Sequence, residues 1–147
     1  MDSPNKLLVQ RWFDEVWNKQ REAAIYSILD PAVQIYGLGP NPEQPIEGPA
    51  AFVPFWKSLI SAIPDVNVIV ESVVMEGDQL AVRCTVRGTH AGEGLGVAPT
   101  NAKIDFSGIV LIHVRNGKFV AGWNNFDFLR FYQQVGLVTL HPALAPS

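Results

Sequence analysis

From Val66 to Asp127 most of the chain alternates apolar and polar residues with period two, interrupted at two short turns. The stretch VNVIVESVVMEGDQLAVRCTVRGTH reads as two strands joined at Glu76-Gly77-Asp78. The stretch KIDFSGIVLIHVRNGKFVAGWNNFD reads as two more, joined at Asn116-Gly117. Asn-Gly and Gly-Asp pairs between alternating segments supply the positive-φ residues that tight hairpins require. Nearly half the chain is thereby committed to long antiparallel strands. In the second strand Leu80, Val82, Cys84, Val86, Gly88 and His90 share one face, and Ala81, Arg83, Thr85, Arg87 and Thr89 share the other. Ile109 to Val114 is apolar on both faces, as is much of Val66 to Met75, so both sides of this sheet need a cover.

The first half supplies one cover. In NKLLVQRWFDEVWNK the residues Leu8, Trp12, Phe13 and Val16 gather on one helical face. A break at Asn18–Gln20 and a second helix over Arg21–Leu29 follow, stopped by Asp30-Pro31 because proline disfavours a helical residue before it. Ala32–Tyr36 alternates as a short strand, and GPNPEQPIEGP reads as a loop. A third helix begins near Pro49, carries Phe52, Phe55, Trp56, Leu59, Ile60 and Ile63 on a broad apolar face, and ends at Pro64-Asp65. Pro54 lies one turn inside and predicts a kink or a later start. A short helix from Asp127 to about Val135 and a tail with two prolines close the chain. Helices followed by a run of antiparallel strands define an α+β class.

At 147 residues the chain is expected to form one domain, with its core over about 6–137 and a tail over 138–147. A domain of this size buries roughly two thirds of its unfolded surface, enough for a core without disulfides or a structural metal. Hydrophobic residues make up 48% and charged residues only 17%, which leaves apolar surface for a pocket or an interface. A net charge of −3 with no basic stripe argues against nucleic acid. No apolar run is long enough to span a bilayer, and Met1–Lys6 is too polar to open a signal peptide. The single cysteine, Cys84, has no partner for an internal disulfide, and the expected location is the cytoplasm. His90, His113 and His141 lack metal-ligand spacing. Gly92–Gly96 follows a strand but opens no helix, so it is no dinucleotide fingerprint. No cofactor and no metal are expected.

Candidate site residues gather at FVAGWNNFDFLRFYQQVG, where a strand meets a helix. Asp127 suits the N-cap of the last helix, satisfying amides of Phe128–Arg130, or a base at a pocket mouth. Parity puts Asn124 on the face of Gly122 and Phe126, and Trp123 on that of Asn125 and Asp127. Only one of these faces lines a given cavity unless a bulge intervenes. His90 is either a core histidine with one hydrogen bond or a neutral titrating group beside a pocket. His113 has the opposite parity from Ile112 and is expected at solvent or an interface. Asp65 reads as a turn residue and a minor candidate.

The segments RWFDEVWNK, GTHAGEGLGVAPT and the closing pattern of Trp123, Asp127 and Gln133-Gln134-x-Gly136 resemble the SnoaL-like polyketide cyclases, within the superfamily of nuclear transport factor 2 and ketosteroid isomerase. The resemblance covers about Lys6 to Leu137. It implies a cone-shaped domain in which a curved, antiparallel or mixed sheet wraps three helices around an apolar pocket. It also implies a homodimer, an apolar small-molecule ligand, and metal-free intramolecular aldol chemistry. Trp17 and Tyr36 match positions that line the pocket in that family. Trp56 reads as a core residue of the third helix with a ring open to the cavity, and Trp123 or its neighbour Asn124 is the further substrate contact, the family precedent favouring the Asn124 face. Asn124, Asp127 and His90 are the candidate catalytic residues. Where the family carries a His-Trp-Asp triplet, this chain has Gly122-Trp123-Asn124. A carboxamide donates and accepts hydrogen bonds but does not titrate as a base near neutral pH. A non-catalytic binding module or a dimerising domain of the same fold therefore stands beside the enzyme reading.

Overall fold

A computed structural model describes residues 3–39, 41 and 43–144. Pro40 and Pro42 of the predicted loop and the last three residues of the predicted tail lie outside them. Helix α1, Pro4–Arg11, is capped by the Ser3 hydroxyl, which accepts from the Lys6 amide at 3.1 Å. It passes directly into a π-helical segment, Trp12–Asn18, closed by a bond from the Lys19 N–H to the Asp14 carbonyl at 2.8 Å. The wider turn packs Trp12, Phe13, Val16 and Trp17 against the core together, all of them buried. Helix α2, Glu22–Ile28, ends before Leu29, and strand β1 takes in Leu29–Tyr36. The sequence had placed Leu29 in the helix and begun the strand at Ala32. Leu29 instead pairs with Phe119, and Pro31 falls in the irregular stretch between that pair and Gln34, where no ladder bond is lost.

Part of the predicted loop forms a short strand, β2 (Ile46–Glu47), paired antiparallel with Gln34 and Ile35 of β1. Helix α3, Pro49–Ala62, starts at Pro49 and keeps Pro54 inside it. The two hairpins follow as β3 (Asn67–Glu76), β4 (Gln79–Thr89), β5 (Lys103–Arg115) and β6 (Lys118–Phe126). Asn116 and Gly117 both have positive φ, 53° and 72°, as the tight turn between β5 and β6 demands. Helix α4, Phe128–Gln134, and a short 3₁₀ turn, Pro142–Leu144, end the described chain.

All six strands belong to one sheet in the order β2-β1-β6-β5-β4-β3, mixed because β1 runs parallel to β6. Irregularities between Val70 and Ser72 on β3, and between Phe119 and Ala121 on β6, break the register. Such bulges bend and twist a sheet, here into the curved mixed sheet of a cone-shaped α+β fold. The inner face carries Leu80, Val82, Cys84, Val86, Val110 and Ile112, all buried, and α1, the π-helical segment, α2 and α3 supply further buried side chains to that core. Asn18 ties the segment to the outermost strand: its amide donates to the Val68 carbonyl at 3.0 Å and its oxygen accepts from the Val68 N–H at 2.6 Å.

Candidate functional site: an apolar cavity with one polar side chain

The inner face of the sheet does not close completely on the helices. A cavity remains, with about 80 Å³ open to the centre of a water molecule inside an envelope of about 780 Å³ that includes its opening. Trp12, Phe13 and Trp17 line it from the π-helical segment, and Phe52, Phe55 and Leu59 from α3. The sheet contributes Val33 and Ile35 of β1, Val68 of β3, Val86 of β4, Phe106, Val110 and Ile112 of β5, and Phe119, Ala121, Gly122, Asn124 and Phe126 of β6. Phe128 of α4 adds one more ring. Aromatic contacts hold this wall in place: Trp12 lies 5.3 Å from Phe52 and 5.6 Å from Phe119, and Trp17 meets Phe52 edge-on at 6.0 Å.

Among the described residues Asn124 is the one polar side chain in this lining, apart from the indole N–H groups of Trp12 and Trp17, and none of the lining residues titrates. Its Nδ2 donates to the Tyr36 carbonyl at 3.0 Å, which fixes the orientation of the carboxamide. Val110, directly opposite on β5, is apolar. Gly37, at φ +83°, permits the close approach of β6 to the end of β1, because a Cβ there would collide with the Asn124 carbonyl. The irregularity at Val120 resets the parity of β6, so Phe119 and Gly122 both face inward; from Gly122 onward Gly122, Asn124 and Phe126 point in.

Trp123 faces the other way. It stacks on Tyr36 with ring centres 5.5 Å apart and planes 7° from parallel, and His113 meets its face at 4.8 Å. Tyr36 was expected to line the cavity, together with Trp123 or, on the favoured face, Asn124; Asn124 does line it, whereas Tyr36 and Trp123 stand on the outer face of the sheet, because Tyr36 pairs with Trp123 across β1 and β6 and shares its side. The Tyr36 hydroxyl donates to Gln34 at 2.8 Å, away from any oxyanion in the cavity. Trp56 takes the core place read for it, and its ring does not reach the cavity as a substrate contact. It donates from Nε1 to the Val16 carbonyl at 2.8 Å. Trp17 does line it.

His90 is completely buried but is not among the cavity walls. Its Nδ1 lies 2.9 Å from the Thr100 hydroxyl, while its own N–H and C=O bond to Ala102 and Asn101, so it pins both ends of the Ala91–Asn101 loop. Its Nε2 is buried without a hydrogen-bond partner. Asp127 is exposed and accepts from the Arg130 N–H at 3.1 Å as the cap of α4. That helix is further anchored by Gln134, which exchanges two 2.9 Å bonds with the Asp105 backbone in the manner of an added strand residue. Asp65 accepts from the Thr89 N–H and hydroxyl at 2.7 and 2.9 Å. Partial burial works to raise its pKa, but these two bonds outweigh it and hold the carboxyl below its ordinary value. The candidate catalytic residues Asn124, Asp127 and His90 thus occupy three separate environments.

Sequence reasoning missed most of the wall, including Phe106, Phe119, Val33 and Ile35. Strand parity read outward from Asn124 finds Gly122, Phe126 and the facing Val110, but the β1 contribution depends on a parallel pairing that no local pattern announces. Among the described residues no group of three or more His, Cys, Asp or Glu side chains could hold a metal ion, and no helix is long and apolar enough to cross a membrane.

No curated protein matches the chain. Solved structures do. A protein from Jannaschia sp. CCS1 assigned to the SnoaL-like polyketide cyclases has the same fold, with a TM-score of 0.81 at 24% identity over 95% of this chain and 99% of that one. AclR from Streptomyces galilaeus, assigned as a hydroxylase, superposes with a TM-score of 0.80 at 25% identity, covering 94% and 88% of the two chains. IdmH from Streptomyces antibioticus, assigned as a polyketide cyclase, gives 0.77 at 25% identity over 90% and 98%. The family model for SnoaL-like polyketide cyclases matches residues 7–135, and with its helices, mixed sheet and interior cavity this chain belongs to that family.

Proposed function

We propose that this protein is a cofactor-independent enzyme of the cyclase or isomerase type, acting on a polyketide-like or other largely apolar carbonyl compound held in the cavity. The supporting observation is the lining itself: apolar and aromatic walls with a single oriented carboxamide. Such walls expel water and fold a flexible chain, and Asn124 keeps one N–H and its oxygen for a ligand hydroxyl or carbonyl after bonding to Tyr36. In an intramolecular aldol step an α-carbon gives up a proton to water or hydroxide at the cavity mouth, the resulting enolate carbon closes the ring by bonding to a distant carbonyl carbon, and that carbonyl oxygen is protonated from water; loss of water then gives the enone. A side-chain general base typically contributes roughly 10²–10⁴-fold to such a step. Positioning two reacting groups reaches effective molarities of roughly 10⁵–10⁸ M. In a chain that already carries both groups, confinement acts by holding the reactive fold, a contribution that does not come from a titrating residue.

A cavity whose described lining carries no titrating side chain favours a second reading, a binding module without turnover. One substrate separates the two. The diketone 1-(2-naphthyl)hexane-1,5-dione closes to an aryl cyclohexenone with release of water and a new enone absorbance. Binding, seen as quenching of the cavity tryptophans Trp12 and Trp17, together with ring closure faster than in buffer supports the enzyme. Binding without acceleration supports the module, and neither would overturn both. We further propose a homodimer formed through the outer sheet face and a cytoplasmic location. The first is supported by the apolar row Val74, Ala81, Leu111 and Trp123 across β3 to β6, the second by a lone cysteine buried as a thiol.

A further inference from the structure

Three glycines interrupt the inner face of the long strands, and two have a structural reason. A Cβ at Gly88 would overlap the Ile63 side chain, and one at Gly108 would collide with the Phe126 ring. Gly122 has no such neighbour: the nearest atom to a Cβ placed there is the Leu111 carbonyl oxygen, at 3.9 Å. Its backbone is not in the left-handed region that favours glycine. A buried glycine inside a strand gives up packing and conformational entropy, and it commonly marks a place where something approaches the backbone closely. At Gly122 no protein atom makes that approach, and the space opens into the cavity. Ile112 on β5 and Ile35 on β1 pair with Gly122 from either side, both buried and both in the cavity wall. The row Ile35–Gly122–Ile112 is thus a trough with a bare centre. Because β6 is paired on both sides here, the trough offers apolar contact rather than free backbone polar groups.

We propose that Gly122 is the specificity-determining residue of the cavity, and that its missing side chain forms a flat apolar subsite for a ring of the ligand against the β6 backbone. The proposal rests on the reading that the cavity takes an apolar carbonyl compound, and it adds the size and shape of what is taken. A side chain at residue 122 narrows the trough and excludes a fused-ring ligand while leaving room for a single ring.

The test compares two neutral aryl ketones, 2-acetonaphthone and acetophenone, titrated by tryptophan quenching against wild type, Gly122→Ala, Gly122→Val and Gly122→Leu, with a thermal melt of each. The expected result is a stepwise loss of the two-ring ketone, reaching roughly tenfold or more for the larger side chains, the range that one or a few methylenes command in an apolar pocket. Acetophenone binding changes far less, and Gly122→Ala melts no lower than wild type. Should Gly122→Leu fail to fold, the order of wild type, alanine and valine carries the same test. Unchanged affinity for 2-acetonaphthone in folded valine and leucine variants would overturn the subsite, as would parallel loss of both ketones. Wild type binding neither ketone would instead overturn the cavity reading, and the subsite with it.

Discussion

Asn124 is held by a single hydrogen bond that also decides what can replace it. Its Nδ2 donates to the Tyr36 carbonyl, so an aspartate at this position would turn an acceptor toward an acceptor inside an apolar wall. Both the burial and the carbonyl disfavour the charged form, so the carboxyl of Asn124→Asp is expected to titrate above its unfolded value. A carboxyl raised in this way costs nothing below its unfolded pKa and loses stability as the pH rises through its folded one. The melting temperature of Asn124→Asp relative to wild type should therefore be near parity at pH 4 and fall progressively toward pH 8; a constant difference would show that the side chain has swung into water. Cys84 follows the same sign. Burial, and secondarily the negative charge of Glu71, push its thiol from an ordinary 9.0 up to about 12. Native protein should resist iodoacetamide at pH 8 and react once unfolded, and Cys84 should withdraw stability as pH climbs from about 9 to about 12.

At the scale of elements, two side chains do the joining. Asn18 presents both an acceptor and a donor to Val68, occupying part of the exposed edge of β3 that would otherwise be open to another strand. Asn18→Ala should cost about 2 kcal/mol in denaturant unfolding, from two part-buried bonds at roughly 0.5–1.5 kcal/mol each. Asn18→Asp keeps the acceptor for the Val68 N–H but sets a carboxylate oxygen against the Val68 carbonyl, so it too should lose stability at neutral pH and recover part of it at pH 4; equal stability of all three proteins would refute the role. Asp127 caps α4, whose Phe131 lies stacked on Phe106 with centres 5.0 Å apart. Asp127→Ala should lower stability by about 1 kcal/mol while leaving ketone binding intact. If the melting temperature held but diketone turnover vanished, Asp127 would be acting on substrate rather than on the helix.

Across the whole molecule the sheet has two apolar faces with different fates. The inner one is covered by helices except at the cavity. The outer one carries Val74 at 69% exposure and Ile109 at 49%, beside Leu111 and the Tyr36–Trp123 stack. A row of this kind across adjacent strands is the cost of a two-sided apolar sheet unless a second copy covers it. Sedimentation at micromolar concentration should show a dimer, and Leu111→Lys, which places a charge at the middle of the row, should shift it to monomer without loss of fold. A wild-type monomer would refute the proposed assembly.

The sequence by itself determined the elements whose signal is local. The two hairpins are written in period-two alternation and in Gly77-Asp78 and Asn116-Gly117. The cap at Asp127 and the shared face of Gly122, Asn124 and Phe126 follow from residue type and parity alone. Only the tertiary structure decided what depends on distant strands. The parallel pairing of β1 with β6 drew Leu29 out of a helix and turned Tyr36 outward onto Trp123. The π-helical turn brought Trp17 to the cavity, and a bond to Val16 kept Trp56 in the core. His90 went to the base of a loop because its partners lie on the far side of that loop. Periodicity fixes which residues share a face. Which face becomes concave, and where it is left unfilled, is set by register, bulges and the packing of side chains far apart in the chain.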